Sequence, residues 1–340
     1  MSSINEIYRI LEDIMAIDSP IGYTKKIESY VCDFLKNLGY EPQMCKVGGV
    51  YCDISEGDGE HLILTAHTDT LGAMVKEISG SGRLGITALG GLNANNIECE
   101  NCKVYTRDNK VYTGTVQLKN ASLHVNKSYN ETKRDFDSVE VVLDYVVNSK
   151  EDVQNMGIEV GDIVAVDPRL VITDSGYIKS RFLDDKAGAA ILLYLAKYIK
   201  EIKTDKKISL LFSANEEMGF GASLLSQKEA DTLIAIDMGC VGDGLNGSEQ
   251  KVSICAKDSG GPYNYEMVSK LVSICKEHNI DYSVDIYPAY GSDAETAIRA
   301  GMDIKFALIG MGVYASHGYE RTHKDGMEGT WSLLKAYIEC

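Results

Sequence analysis

HLILTAHTDT, residues 61–70, decides how this chain folds. HLILTA is a short, continuously apolar run of the kind buried on both faces of a sheet, and it ends in His67-Thr68-Asp69. Strand ends are where open α/β sheets hold their functional side chains. The arrangement recurs along the chain: Asp184-Asp185 stands before a helix, Glu216-Glu217 follows ISLLFSAN, Asp237 follows TLIAI and His317 follows FALIGMGVYAS. Separate strand ends that all deliver metal-ligand residue types point to a two-metal hydrolase.

Upstream, Ile4, Ile7, Tyr8, Leu11, Ile14 and Met15 form one helical stripe, and Ile27, Tyr30, Val31, Phe34, Leu35 and Leu38 form another that Gly39 closes. QMCKVGGVYCDIS reads as a strand pair with Gly48-Gly49 at its turn. Downstream, from about Leu71 to Thr173, the texture changes. AMVKEIS, GRLGITAL, KVYTRDNKVYTGTVQL and VEVVLDYVV are short β-prone runs between Gly, Asn and Asp turns, and only SKEDVQNMG reads as a helix.

The βα rhythm then returns. DDKAGAAILLYLAKYIKE places Ala187, Ala190, Ile191, Tyr194, Leu195, Tyr198 and Ile199 on one face. Strands ISLLFS, TLIAID and IKFALIG alternate with helices expected at about 264–279, 292–300 and 328–338. The expected organisation is a discontinuous α/β catalytic domain, residues 1–70 and 174–340, with a mostly β domain, residues 71–173, inserted into it.

Composition narrows the function. A chain of 340 residues, 44% hydrophobic, can bury a full core. No apolar run approaches the ~20 residues of a membrane span, and MSSINEIYRILEDIM carries charges where a signal peptide needs an apolar block. Nine scattered cysteines suit free thiols in a reducing compartment, so a cytoplasmic location is expected. A net charge of −16 without basic clusters argues against nucleic acid or an anionic membrane as partner. Cys99 and Cys102 are the one close cysteine pair. They lack the second pair or nearby histidines that a structural zinc site requires, and incidental thiols are the default reading.

Two divalent ions ~3.5–4 Å apart can polarise a carbonyl, generate hydroxide near neutral pH and clamp a tetrahedral intermediate. The candidate ligands are His67, Asp184, Glu217, Asp237 and His317. Three carboxylates and a bridging hydroxide would neutralise two such ions. Asp69, two residues after His67 on an extended segment, is expected to accept the other imidazole N–H and fix its tautomer. Glu216 cannot share the direction of Glu217 and is expected to act as general base. His61 and His124 read as surface or packing residues, and His278 as a favourable charge late in a helix.

With these residues in view, the chain resembles the M42 family of dinuclear metallo-aminopeptidases, within the wider group of zinc exopeptidases that includes M28 and M20. The carrying segments are TAHTDTLGAMVKEI, GIEVGDIVAVDP, SRFLDDKAGAAILL, FSANEEMGFGA and AIDMG, which span most of the chain in order. The resemblance implies a mixed-sheet catalytic domain, two ions per subunit, zinc or cobalt, bridged by Asp184, a cis peptide bond from Asp184 to Asp185, and Glu216 as base. It implies short peptides as substrates, cleaved one residue at a time from the N-terminus. It also implies self-association through the inserted domain into dimers and large hollow tetrahedral particles, up to a dodecamer. The long gap between His67 and Asp184 separates the chain from M28 enzymes, which lack a large insert, and from M20 enzymes, which insert between the fourth and fifth ligands. An M20-like dipeptidase or N-deacylase would use the same metals, and a non-catalytic homologue would lack Glu216.

Two segments depart from the family pattern. Asp69-Thr70 stands where the family has Asp-Glu, and VYASHGYERTHKDG replaces Arg-Tyr-x-His-Ser-Pro around the last histidine. His317 and His323 therefore compete as the fifth ligand. His317 is expected, because it follows the apolar strand closely, Glu320 follows it at a family-like distance, and it lies further from the final helix.

Overall fold

The computed structural model describes Ser3–Cys340. It contains two compact units, one formed by the chain up to Asp69 together with Arg169–Cys340, the other by Thr70–Pro168. The larger unit begins with helices α1 (Ser3–Met15) and α2 (Lys25–Asn37) and strands β1 (Gln43–Met44), β2 (Val50–Ser55) and β3 (His61–His67). The apolar stripe of α1 is buried and gains Ile10, whereas Tyr8 lies only half-buried at its margin. α2 stops where Gly39 takes a left-handed φ of 88°.

The inserted unit is a closed barrel of β4 (Gly72–Ile78), β5 (Leu84–Leu89), β6 (Asn101–Tyr105), β7 (Val111–Leu118), β8 (Val139–Leu143) and β9 (Ile163–Val166), with α3 (Lys150–Asn155) before its last strand. The strands run in the order β4-β5-β8-β7-β6-β9, every pair antiparallel. Alternating burial along β7 and β8 packs Val116, Leu118, Val139, Val141 and Leu143 inside. The reading of short strands missed β9. It closes the barrel by pairing Val164 with Ala73 on one side and Val104 on the other. A capping box between Ser149 and Asp152 starts α3.

The chain re-enters the larger unit through β10 (Val171–Ile172), β11 (Tyr177–Ser180) and α4 (Leu183–Tyr198), followed by β12 (Lys207–Ser213), β13 (Thr232–Ile236), β14 (Gly239–Val241), β15 (Val252–Lys257), α5 (Tyr265–Glu277), β16 (Tyr282–Ile286), α6 (Asp293–Arg299), β17 (Lys305–Tyr314), β18 (Glu320–His323) and α7 (Lys324–Glu339). Because β10 pairs with β11, residues 169–173 fold with this unit, where the sequence reading had assigned them to the insert. A twelve-stranded mixed sheet results, ordered β1-β2-β12-β3-β13-β17-β18-β11-β10, with β14 and β15 pairing to β17 and β16 to β15. Its centre, β12-β3-β13-β17, is parallel throughout.

α4 lies against β3, β13 and β17 and also touches α1, α2 and α7. It is therefore buried on all sides from Leu183 to Ala196, not on the single face that periodicity suggested. Its second turn presses on the sheet at Gly188, where an added Cβ would stand 2.1 Å from the Ile236 carbonyl oxygen. The architecture is α/β with a mixed sheet and an inserted antiparallel barrel.

Candidate metal centre

The four central strands run parallel, and β12, β3 and β13 end within a residue of one another while β17 runs on to Tyr314. Register pairs Ser213 of β12 with His67 of β3, Ala235 of β13 with Thr65, and Ile236 with Ile309 of β17. Whatever follows each strand thus converges on one edge of the sheet. His67 is the last residue of β3, Asp237 follows β13 directly, and Glu216-Glu217 form a single helical turn just beyond β12, ended by Gly219 at φ 74°. His317 lies in the tight connection from β17 to β18, itself at φ 60°. Asp184 and Asp185 open α4 with non-helical backbone angles, and the peptide bond between them is cis.

Asp184 lies between two imidazoles. Its Oδ1 is 2.9 Å from Nε2 of His67 and its Oδ2 is 3.5 Å from Nε2 of His317. Glu217 Oε2 is also 3.5 Å from the His317 nitrogen. Glu216 Oε2 lies 3.9 Å from Nε2 of His67. Potential ligand atoms of His67, Asp184 and Glu217 lie within 4.8 Å of one another, as do those of His67, Asp185 and Asp237. Asp185 thus joins the cluster, although the sequence reading gave it no role there. Its Oδ2 accepts from the His67 backbone N–H and its Oδ1 from that of Gly188.

Asp69 meets the His67 ring through its backbone where its side chain was expected. His67 Nδ1 lies 3.0 Å from the backbone carbonyl of Asp69 and 3.6 Å from its carboxylate. A carbonyl only accepts, so Nδ1 carries a proton, and Nε2 is left to face the cluster, where it meets Asp184 Oδ1. The Asp69 carboxylate instead accepts the backbone N–H groups of Glu216 and Glu217, each at 3.2 Å.

Two further acids brace the site from behind. Glu320 accepts from the backbone N–H of Asp184 at 3.1 Å and of His317 at 3.0 Å. Asp293 accepts from Thr65 and Ser213 hydroxyls and from the Ala222 N–H, tying the ends of β3 and β12 to α6. In the sequence Glu320 showed only as a spacing, and Ser292-Asp293 only as the start of a helix.

His323 is committed elsewhere. Its Nε2 lies 3.0 Å from the Ser175 carbonyl, its Nδ1 accepts from the Asp325 N–H, and its ring packs edge-on against Tyr177. It is the N-cap of α7, which is why that helix starts at Lys324 and not near 328. Neither histidine-and-carboxylate group includes a cysteine; Cys99 is exposed and Cys102 buried. His61 bonds Ser209 through Nε2, and His278 is the C-cap of α5.

The electrostatics are those of a site short of cations. Burial, reinforced by Asp184, pushes Glu217 up to about 8 and Asp237 up to about 7. Burial also raises Glu216, and Asp185 with Asp237 beside it, well above the usual carboxylate range. Asp184 moves the other way despite its burial, because His317 and His67 hydrogen-bond it. The Asp184 hydrogen bond raises His317 to about 10. The simple balance of three carboxylates undercounts the buried acids. Asp69, Asp293 and Glu320 are satisfied by backbone and hydroxyl donors, whereas Glu217 Oε1 is buried with no partner at all. A buried carboxylate oxygen left bare beside two imidazole nitrogens and further carboxylates fits divalent metal.

The cluster opens into a cavity of about 600 Å³ whose walls include Asp184, Glu216, Glu217, Asp237 and His317 together with Tyr290, Glu295 and Arg299.

Residues 48–333 match the profile of the M42 glutamyl aminopeptidase family. YhfE of Bacillus subtilis (strain 168) is 43% identical over 342 residues, covering 100% of this chain and 99% of that protein. Among solved structures, aminopeptidase APDkam598 from the archaeon Desulfurococcus kamchatkensis superposes with a TM-score of 0.87 at 22% identity, over 99% of this chain and 95% of that one. The Pyrococcus horikoshii TET1 peptidase, which can assemble into a tetrahedron or a large octahedral shell, does so with a TM-score of 0.86 at 20% identity, over 98% and 99%. Profile, full-length relative and fold agree, and the chain belongs to the M42 glutamyl aminopeptidase family.

Proposed function

We propose that the protein is a dinuclear metal-dependent aminopeptidase that removes the N-terminal residue of short peptides. The observation that carries this reading is Asp184, with one oxygen toward His67 and the other toward His317, beside the bare oxygen of Glu217. His67, Asp184 and Asp237 would hold one ion, and Asp184, Glu217 and His317 the other. When bound, two divalent ions, zinc or cobalt, supply Lewis acidity toward a scissile carbonyl and acidify water.

The chain's own residues do the rest. Glu216 Oε2 takes a proton from the attacking water and delivers it to the leaving amide nitrogen. Asp69 aims that base, since its carboxylate fixes the Glu216 and Glu217 amides while its carbonyl fixes the His67 ring. A cavity of about 600 Å³ admits a peptide end and excludes a folded chain.

Self-association through the barrel is part of the same reading. Leu123, Val125, Tyr145 and Val146 are exposed apolar residues of the insert. Sedimentation as a strict monomer would remove it. Among the described residues no helix is long and apolar enough to cross a membrane. The nine unpaired thiols suit a reducing compartment.

The deciding experiment offers the metal-loaded protein aminoacyl anilides and N-acyl amino acids side by side. Release from the anilides alone is expected, and release from the N-acyl compounds alone would replace the aminopeptidase by a deacylase.

A further inference from the structure

The cavity holds one charged pair that the chemistry above does not use. Glu295 and Arg299, one turn apart on α6, both line it and pair through Oε1 and Nη2 at 2.5 Å. Their circumstances differ sharply. The Glu295 side chain is only 15% exposed and that of Arg299 is 69% exposed. Glu295 also lies close against backbone. A Cβ on Gly260 would stand 1.1 Å from its Oε1, and one on Gly291 would stand 3.4 Å from its Oε2. The carboxylate thus occupies a slot that only glycine at position 260 leaves open.

The buried charge on this wall is negative, and its positive partner extends into solvent. An ion pair with so exposed a partner contributes little, so the guanidinium is easily exchanged. We propose that Glu295 selects substrates whose N-terminal residue carries a cationic side chain, lysine or arginine, with Arg299 as the placeholder that the substrate displaces. The proposal rests on the aminopeptidase reading and names its substrate class. A cationic side chain entering the cavity replaces Arg299 against a largely buried carboxylate, and the freed Arg299 hydrates at no cost in buried charge. An acidic side chain would instead meet the like charge of Glu295.

Two measurements test this. The first compares kcat/KM for lysyl, arginyl, leucyl and glutamyl anilides in the wild type, Glu295→Gln and Arg299→Ala. Lysyl and arginyl substrates are expected to exceed leucyl by ~10-fold or more, and glutamyl to be poorest. Glu295→Gln should collapse the lysyl-to-leucyl ratio toward one, and Arg299→Ala should preserve or raise it. The second titrates lysinamide and glutamic acid 1-amide calorimetrically into metal-loaded protein. Preferential binding of lysinamide, lost in Glu295→Gln, is expected whether or not turnover occurs, so it stands even if the peptidase reading fails. A glutamyl preference abolished by Arg299→Ala would overturn the proposal, as would a lysyl-to-leucyl ratio or lysinamide affinity indifferent to Glu295→Gln. With leucyl anilide still cleaved, either result would leave the aminopeptidase reading intact.

Discussion

The two ends of strand β3 carry acids in opposite circumstances. Glu60, just before the strand, would be raised by its partial burial. Hydrogen bonds from Thr232, Lys206 and Tyr337 outweigh this and hold it below the usual range. Thr232 Oγ1 lies 2.5 Å away, Tyr337 3.1 Å and the Lys206 ammonium 3.2 Å. At the other end Glu216, Glu217, Asp185 and Asp237 are all raised by burial. The residue types are the same; what differs is whether the protein itself supplies the donors. An acid with its donors in place holds the fold together, and a cluster whose donors fall short, leaving Glu217 Oε1 bare, awaits something the chain does not encode.

Removing metal should break the comparison hardest. Chelation should abolish turnover, and Zn²⁺ or Co²⁺ should restore it, while the same treatment leaves the environment of Glu60 unchanged. Full activity in a verified metal-free sample would end the two-metal assignment. Next in size, Glu216→Gln should lower kcat by ~10²-fold or more with both ions retained, because shape survives and only the proton acceptor is lost. Glu217→Gln should lose metal instead, and wild-type kcat in Glu216→Gln would mean another group is the base.

The histidines sharpen the contrast at smaller scale. His317→Ala should lose one of two ions. His323→Ala should keep both and lose about 1 kcal/mol of stability through the missing N-cap, and the reverse metal counts would transfer the ligand role to His323. The smallest effect belongs to the structural end. Because the pKa of Glu60 is lowered on folding, its contribution is present above the unfolded value and fades as pH falls through the folded one. Glu60→Gln should cost about 1 kcal/mol in urea unfolding at pH 7 and much less at pH 3. An equal cost at both pH values would show that Glu60 acts by packing and not by charge.

The pattern of what the sequence disclosed follows the same line. His67, Asp237 and His317 were legible because each closely follows its own apolar strand, a local signal. The barrel was legible as a change in periodicity, but not β9, whose residues make sense as a strand only between β4 and β6. α4 read as amphipathic because its sequence alone does not reveal that elements cover it on all sides. The bracing acids were the least visible. Asp293 is defined by Thr65, Ser213 and Ala222, and Asp69 by Glu216 and Glu217, partners dozens to hundreds of residues away.

That double use of Asp69 bears on the order in which the molecule matures. Its carbonyl belongs to β3's own end, but its carboxylate gains partners only when β12 has docked beside β3, a closure that spans the whole inserted barrel. Long closures of this kind come late in folding. A chain emerging from synthesis therefore displays His67 and Asp69 well before it has a place to put an ion, and hydrolytic competence waits on that long-range ladder.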